Sequence, residues 1–358
     1  MTPINVPAGL VPAKNRIVVD WLDDAIGLTN KVHFYEVDNN DVDVNFLLYK
    51  EIENFLAYGR FDAREFVESV LRCSDVSLTD TEPQFLPEHL KYFKVIAENP
   101  DQISGSEDIC EFSAFYAKRY LSPVNQAFGN TLFVAADTKY IRKSAHYFVT
   151  VMATEGQTVG YEVFFDDGTS QTFTKAMPAP GTKDNTKSWA YLLPVGFPQV
   201  SYDNLQPGKT ITQIEVLSGG TKATLIVDSS SKRYEHELLY WADSGNLETL
   251  VATGVKRRQI KTKRTEYNRP AYKYSSNYLD STLISGRVQL DYEYRVRTGY
   301  FRSREEYEAA LQILSAEKVF AKLNDQYVEV MITDKSLAEV EEDETLYSFE
   351  FNYKFTER

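Results

Sequence analysis

The chain has 358 residues, with 52 acidic and 39 basic side chains and a formal net charge of -13. That length accommodates two or three domains with cores of their own, no apolar run approaches the roughly 18 residues that cross a bilayer as a helix, and the negative balance argues against a nucleic-acid partner bound through neutralised phosphates. With 24 Tyr and 21 Phe beside abundant Val and Thr, the composition suits pleated, half-buried surfaces, so the expected class is mainly β with a few short helices.

The opening, MTPINVPAGLVPAKNR, has neither a basic start nor an apolar core segment, so no signal peptide is expected and synthesis in a cytoplasm is. NRIVVDWL and KVHFYEV read as strands. DNNDVDVN, residues 38–45, is as acidic as a calcium loop, but it lacks the mid-loop glycine and closing glutamate of that motif and reads as a turn. DAREFVESVL, residues 62–71, reads as a short amphipathic helix with Asp62 and Glu65 at capping-box spacing. Between about residues 78 and 128, HLKYFKVIA and EFSAFYAKRYL fit helix or strand equally well. These segments make up an expected N-terminal β-rich domain, residues 1–150. Its two cysteines, Cys73 and Cys110, read as free buried thiols in a reducing compartment.

Residues 151–280 are expected to form a central β-sandwich-like domain. YEVFFDDGTSQTFT reads as a hairpin in which Asp167-Gly168 supplies the positive φ angles of a primed turn, and TITQIEVLSGGTKATLIVD repeats the design with Gly219-Gly220. Residues 177–189, MPAPGTKDNTKSW, read as an exposed loop between them. After the strand-like LETLVATG comes a basic run of Lys256, Arg257, Arg258, Lys261, Lys263 and Arg264.

Residues 281–358 are expected to form a β-α-β-β-β unit packed on the central domain. Val288, Leu290, Tyr292, Tyr294 and Val296 alternate with polar residues, as a half-buried strand requires. Ser303 and Glu306 stand at capping-box spacing before a helix whose Tyr307, Ala310, Leu311 and Leu314 recur at the helical interval. KVFAKLNDQYVEVMIT reads as a hairpin turning at Asn324 and Asp325. The last strand, TLYSFEFNYKF, places Tyr347, Phe349, Phe351, Tyr353 and Phe355 on one face. Five such rings represent on the order of 10 kcal/mol on burial, so that face is expected against the chain's own body or another subunit. An acidic run, with Glu339, Glu341, Glu342, Asp343 and Glu344, precedes it.

No segment carries a recognisable catalytic or cofactor motif. DNLQPGKT has the Gly-Lys-Thr end of a phosphate loop, but Asp203 stands where the first glycine is required. His33, His89, His146 and His236 are scattered, with no paired-His or Cys-x-x-Cys spacing, so no metal is expected. There is no Gly-x-Ser-x-Gly elbow, and a carboxylate pair for glycoside hydrolysis would meet in space and leave no sequence spacing. No cofactor and no enzymatic activity are expected. The two charge runs read as solvated faces, the basic one guarding a sheet edge, or as docking surfaces between neighbouring subunits, with Lys256, Arg257, Arg258, Lys261, Lys263 and Arg264 set against Glu341, Glu342 and Asp343; DNA or an anionic membrane is the remaining alternative partner.

Three segments, about half the chain in order, resemble bacteriophage tail structural proteins of a β-rich, distal-tail or baseplate kind. GLVPAKNRIVVDW with GRFDAREFVESVL is similar to their opening strand and short helix. HELLYWADSGNLETLVATGVKRRQIKTKRTEY is similar to a middle segment of strand, polar turn and strand before a basic stretch, though DSGNLETL is less glycine-rich and less aromatic than that pattern. RTGYFRSREEYEAALQILSAEKVFAKLNDQYVEVMITDKS through FEFNYKF is similar to their closing strand, acidic helix, hairpin and aromatic strand. The resemblance implies a virion tail component, made in the host cytoplasm, that forms rings of its own copies or docks other tail proteins, with no catalytic residues. A carbohydrate-binding module at the tail tip and a wall- or glycan-degrading hydrolase are the alternatives.

Overall fold

The computed structural model describes residues 2–7, 9–22, 29–38, 43–53, 58–98, 107–117, 131–181, 183, 187–202, 205–268, 283–333 and 347–356. The chain is mainly β, with strands in five sheets and two short helices, α1 (Arg64–Val70) and α2 (Arg304–Leu311). No described helix is long and apolar enough to cross a membrane.

Of the two segments that fit helix or strand equally well, HLKYFKVIA is a strand from Leu90 on, and EFSAFYAKRYL is strand through Phe115, with its residues 118–121 outside the described residues. Leu90–Glu98 and Glu107–Phe115 pair in an antiparallel ladder, in a five-stranded sheet with Leu10–Pro12, Thr29–Asp38 and Asp43–Glu53. Val95 pairs with Cys110 and Ile96 with Asp108, so Ile109 is one extra residue. Such a bulge shifts the inward parity, from Ile109 on one side to Phe112 and Ala114 on the other. A three-stranded sheet of Thr2–Asn5, Val18–Leu22 and Tyr58–Asp62 lies with it, and Trp21, Phe34, Phe61, Phe93 and Phe112 share one core. Phe34 and Phe93 stack with centroids 5.3 Å apart. The capping expected in α1 is not realised. Ala63 is the N-cap, and the Asp62 carboxylate accepts from Arg64 N at 3.1 Å, one residue short of Glu65.

The central sandwich has a four-stranded sheet, ordered Leu132–Phe133, Phe148–Ala153, Trp189–Pro194, Gln84–Phe85. It packs on a five-stranded sheet ordered Thr138–Ile141, Thr221–Val227, Ile211–Ser218, Thr158–Phe165, Ser170–Ala176. The turns follow glycine chemistry with one correction. Gly219 and Gly220 both have positive φ, as a two-residue primed turn requires, whereas in the Asp167-Gly168 turn only Gly168 does. Phe165 N bonds Thr169 O at 2.9 Å and Gly168 N bonds Phe165 O at 3.1 Å, so this hairpin closes through a three-residue loop with glycine in the left-handed position.

A seven-stranded sheet completes the molecule, in the order Leu247–Ala252, His236–Trp241, Val319–Leu323, Gln326–Ile332, Glu350–Phe355, Leu283–Arg297, Lys256–Asn268. Its first two strands are buried on both faces. Leu239, Trp241 and Leu247 join the core of the sandwich and N-terminal sheets, while Leu238, Tyr240, Leu250 and Ala252 join a second core under α2. Ser303 caps α2 by accepting from Glu306 N at 3.1 Å, and the Tyr240 hydroxyl donates to Ala309 O at 2.9 Å. The β-α-β-β-β order expected at the C-terminus is present, but it shares one sheet with residues 236–268. An expected boundary at residue 150 likewise falls inside the strand Phe148–Ala153, and the first core runs unbroken from Val11 to Leu247.

The aromatic face of the last strand is covered by its own chain. Phe351 and Tyr353 are each 1% exposed and Phe349 is 7%. Phe301 stacks on Phe349 and Tyr294 on Tyr353, with centroids 6.0 and 5.4 Å apart, and Tyr307 of α2 meets Phe349 edge-on.

The turn between the first two strands of this sheet contacts the N-terminal sheet. Gly245 sits there at φ +78°, and an added Cβ would overlap the Phe115 ring and the Tyr116 carbonyl oxygen. Gly245→Ala therefore combines a left-handed backbone penalty with overpacking. It is expected to cost about 2–4 kcal/mol, seen as a lower urea midpoint with unchanged slope; a loss below about 0.5 kcal/mol would show that this contact is not packed as described.

Candidate interface and the charged clusters behind it

Strand Lys256–Asn268 is the outermost of the seven-stranded sheet, and its register with Leu283–Arg297 decides what it displays. At the base, Lys256, Arg257 and Arg258 face Val296, Arg295 and Tyr294. These three in turn pair with Phe351, Asn352 and Tyr353 of the terminal strand. Beyond that point, among the described residues, 259–268 pair only with 283–293, so the described sheet narrows to a two-stranded ribbon. At a rise of about 3.3 Å per residue the ribbon is roughly 30 Å long.

The side chains along the strand follow from that change. Lys256 is half-buried with Nζ 4.8 Å from the Tyr294 centroid and 5.3 Å from that of Tyr353, and burial holds its ammonium pKa below the usual lysine range. Arg257 is exposed, opposite an Arg295 that is held by Glu350 at 2.5 Å. The exposed Arg258 lies 4.2 Å over the Tyr292 ring. Lys261 pairs with Glu293 at 2.5 Å, and that bond, with one from Thr333, holds the Glu293 carboxyl below its ordinary range. Lys263 stands opposite Gln289 in the ladder, and Arg264 is exposed opposite Val288. The basic run therefore lies on one outermost strand. Its expected counterparts Glu341, Glu342 and Asp343 lie outside the described residues.

Three charged clusters that no local spacing announces sit behind this sheet. In the first, Glu237 Oε1 accepts from His146 N at 2.7 Å, from His146 Nδ1 at 3.1 Å and from the Tyr327 hydroxyl, while Oε2 takes Lys322 Nζ at 3.2 Å. Burial pushes the Glu237 carboxyl up, but the donors from His146 and Tyr327 outweigh it and the group sits below the usual carboxylate range. In the second, the fully buried Glu248 takes Lys139 at 2.5 Å, Asn246 Nδ2 at 2.8 Å and Ala135 N at 2.8 Å. Asn246 Oδ1 accepts from the Thr150 hydroxyl at 2.9 Å. In the third, Asp228 joins Arg142 and Arg302, each at 2.9 Å, and Arg302 lies 4.5 Å over the Tyr140 ring.

Each cluster ties the seven-stranded sheet or the start of α2 to the sandwich. A donor ring around a single carboxylate is suited to fixing segments, because removing any member leaves a buried charge unmatched. The cavity beside Lys139, Arg142, Arg302 and Glu306 is about 100 Å³, room for water but below the roughly 300 Å³ at which small-molecule sites begin, while an open cleft beside Arg72, Cys73, Glu88, Glu317 and Lys318 is about 710 Å³. Burial pushes the thiols of Cys73 and Cys110 up to about 11 and about 12, which keeps both unreactive. Among the described residues no three His, Cys, Asp or Glu side chains gather as a metal site.

The depressed pKa of Glu237 makes its contribution fully present above the unfolded value of about 4.3, and lost as pH falls through the folded value. Glu237→Gln is expected to cost about 2–3 kcal/mol at pH 7, with the gap to wild type narrowing below about pH 4. Urea titrations between pH 7 and pH 3 check it, and a gap independent of pH would mean that Glu237 titrates alike folded and unfolded.

Comparison with known protein families gives no matching family, and comparison with curated protein sequences gives no match.

Proposed function

We propose that the chain is a non-enzymatic structural subunit of a bacteriophage tail, in a distal-tail, baseplate or fibre-docking position, that acts in the virion through contacts with copies of itself and with neighbouring tail proteins. The observation that carries this reading is the outermost strand Lys256–Asn268, which presents Arg257, Arg258, Lys261 and Arg264 to solvent on a chain of net charge -13. A concentrated patch of one sign on a molecule of the other sign steers association and fixes register. The acidic run at residues 339–344 supplies matching charge in the sequence.

The resemblance to tail proteins supplies the setting, and the sheet architecture supports a role in assembly. A glycan-binding module offers aromatic rings to sugars, but Trp21, Trp189 and Trp241 are 0%, 3% and 2% exposed. That burial favours protein contacts over sugar stacking.

Arg257→Glu/Arg258→Glu is expected to weaken association of the purified chain about tenfold or more at low salt, with a smaller effect as salt screens the charges. Sedimentation velocity across a salt series measures it, with negative-stain imaging to show rings or tail tips. Association that the reversal leaves unchanged at every salt concentration would count against electrostatic docking; glycan binding on an array, or lysis of cell-wall substrate, would favour the other two classes.

A further inference from the structure

Resting on that reading, we infer that the ribbon formed by residues 259–268 and 283–293 is an intersubunit arm, whose Ile260–Tyr292 face seats on a second copy of this chain. Four observations carry it. The register shows that the ribbon leaves the sheet: after the Tyr294–Tyr353 pair, residues 283–293 pair with no described strand other than residues 259–268. A two-stranded ribbon alone is marginally stable in water at best, so about ten residues a side call for support from outside the described fold.

The face itself is continuous with a core. Val296 and Tyr353 are 0% and 1% exposed at the base. One step out, Tyr294 is half-buried against Tyr353 and Phe355. One step further the same face carries Tyr292 at 38% exposure and, directly opposite, Ile260 at 58%. The apolar surface thus continues past the point where its own chain stops covering it.

Charge and reach select the occupant. Residues 256–264 of the edge strand carry six cations, on a chain whose net charge is -13, so any second copy approaches as an anion, while two such strands set edge to edge place like charges together. Over a two-fold contact, that favours a head-to-tail one, ribbon on body. Contacts of this kind close into rings or propagate as fibres. A span of roughly 30 Å is about the diameter of a small domain, long enough to lie across a neighbour.

The test uses the full chain. Ile260→Glu/Tyr292→Glu alters two exposed positions and is expected to leave the melting temperature of the isolated chain unchanged, while raising the dissociation constant for self-association about tenfold or more in sedimentation velocity. With p-benzoylphenylalanine at position 260 and an equal mixture of light and heavy-isotope chains, irradiation is expected to give mixed dimers joined from position 260 to a residue outside the ribbon. Self-association that the double substitution does not move, or crosslinks confined to one chain, overturns the inference while leaving a tail-subunit role through other surfaces. Mixed dimers joined ribbon to ribbon overturn the head-to-tail geometry. Wild-type chains that remain monomeric at every concentration overturn the arm as a self-contact, and glycan binding or wall lysis by those monomers removes the tail-subunit reading as well.

Discussion

The hairpin of residues 236–252 is buried on both faces apart from its partly exposed ends and turn, at His236, Val251, Asp243 and Ser244, and much of the structure is arranged to make that possible. A two-faced strand cannot alternate apolar and polar side chains, since both parities point into protein. HELLYW and LETLVA meet the requirement with runs of Leu, Tyr, Trp and Val, but they also contain Glu237 and Glu248, and the turn between them Asn246, which the hairpin carries into the interior. Each buried polar group costs several kcal/mol unless it finds partners. The partners are therefore obligatory, and they come from all around: His146 and Thr150 from the sandwich, Lys139 from its neighbouring sheet, Tyr327 and Lys322 from the C-terminal hairpin.

That requirement joins parts that the order of elements would let stand separately. The C-terminal β-α-β-β-β segment forms the second core with one face of the hairpin, and α2 is capped by its own Ser303. Apolar contact with the hairpin would hold it in many similar orientations, because dispersion and desolvation are only weakly directional. Hydrogen bonds to Glu237 are directional, and only one placement of Tyr327 and Lys322 satisfies both carboxylate oxygens. The Arg302–Asp228 pair and the bond from Asp137 N to Glu305 Oε1 at 3.0 Å repeat the device at the start of α2. The net worth of such pairs over an apolar equivalent is small, so their physical role here is to select an orientation.

What could be read in the sequence was whatever is periodic and local. The alternation in TLYSFEFNYKF gave a strand with the inward parity observed, whereas in GRVQLDYEYRVRTG the expected parity holds at Tyr294 and Val296 but not at Tyr292, which is 38% exposed beside Glu293 at 8%. Ser303-x-x-Glu306 marked a helix start because one hydroxyl and one amide three residues apart are enough to make the cap. Asp62-x-x-Glu65 has the same spacing and failed, because Asp62 still belongs to the strand Tyr58–Asp62 and its carboxylate reaches only to Arg64 N. HLKYFKVIA and EFSAFYAKRYL were ambiguous because their apolar residues fit both periods, and only the long-range ladder between Leu90–Glu98 and Glu107–Phe115 settles the paired residues as strand. The clusters around Glu237 and Glu248 left no trace, since their members are up to 181 residues apart and are chosen by topology. Nor could periodicity say what would cover the terminal aromatic face; that depended on where Phe301, Tyr307 and Tyr294 came to rest.

The covering of that face shifts the weight of any account of assembly. Five rings on the last strand are the largest regular apolar surface in the sequence, and a subunit could have kept them for its neighbours; instead α2 and the adjoining strand bury Phe349, Phe351 and Tyr353 almost completely. Surface already inside a core gains nothing further from a partner. Binding energy must come from apolar area that is still wet and can be brought next to matching charge, because desolvation supplies affinity and charge supplies register. The same sheet provides such a place four residues from its buried end, from Val296 to Tyr292. Between Val296 and Tyr292 one continuous face passes from 0% to 38% exposure, and the strand beside it carries Arg257, Arg258 and Lys261. A sheet that is closed at one end and left open and cationic at the other can be stable as a single chain and still have a surface to give to a neighbour.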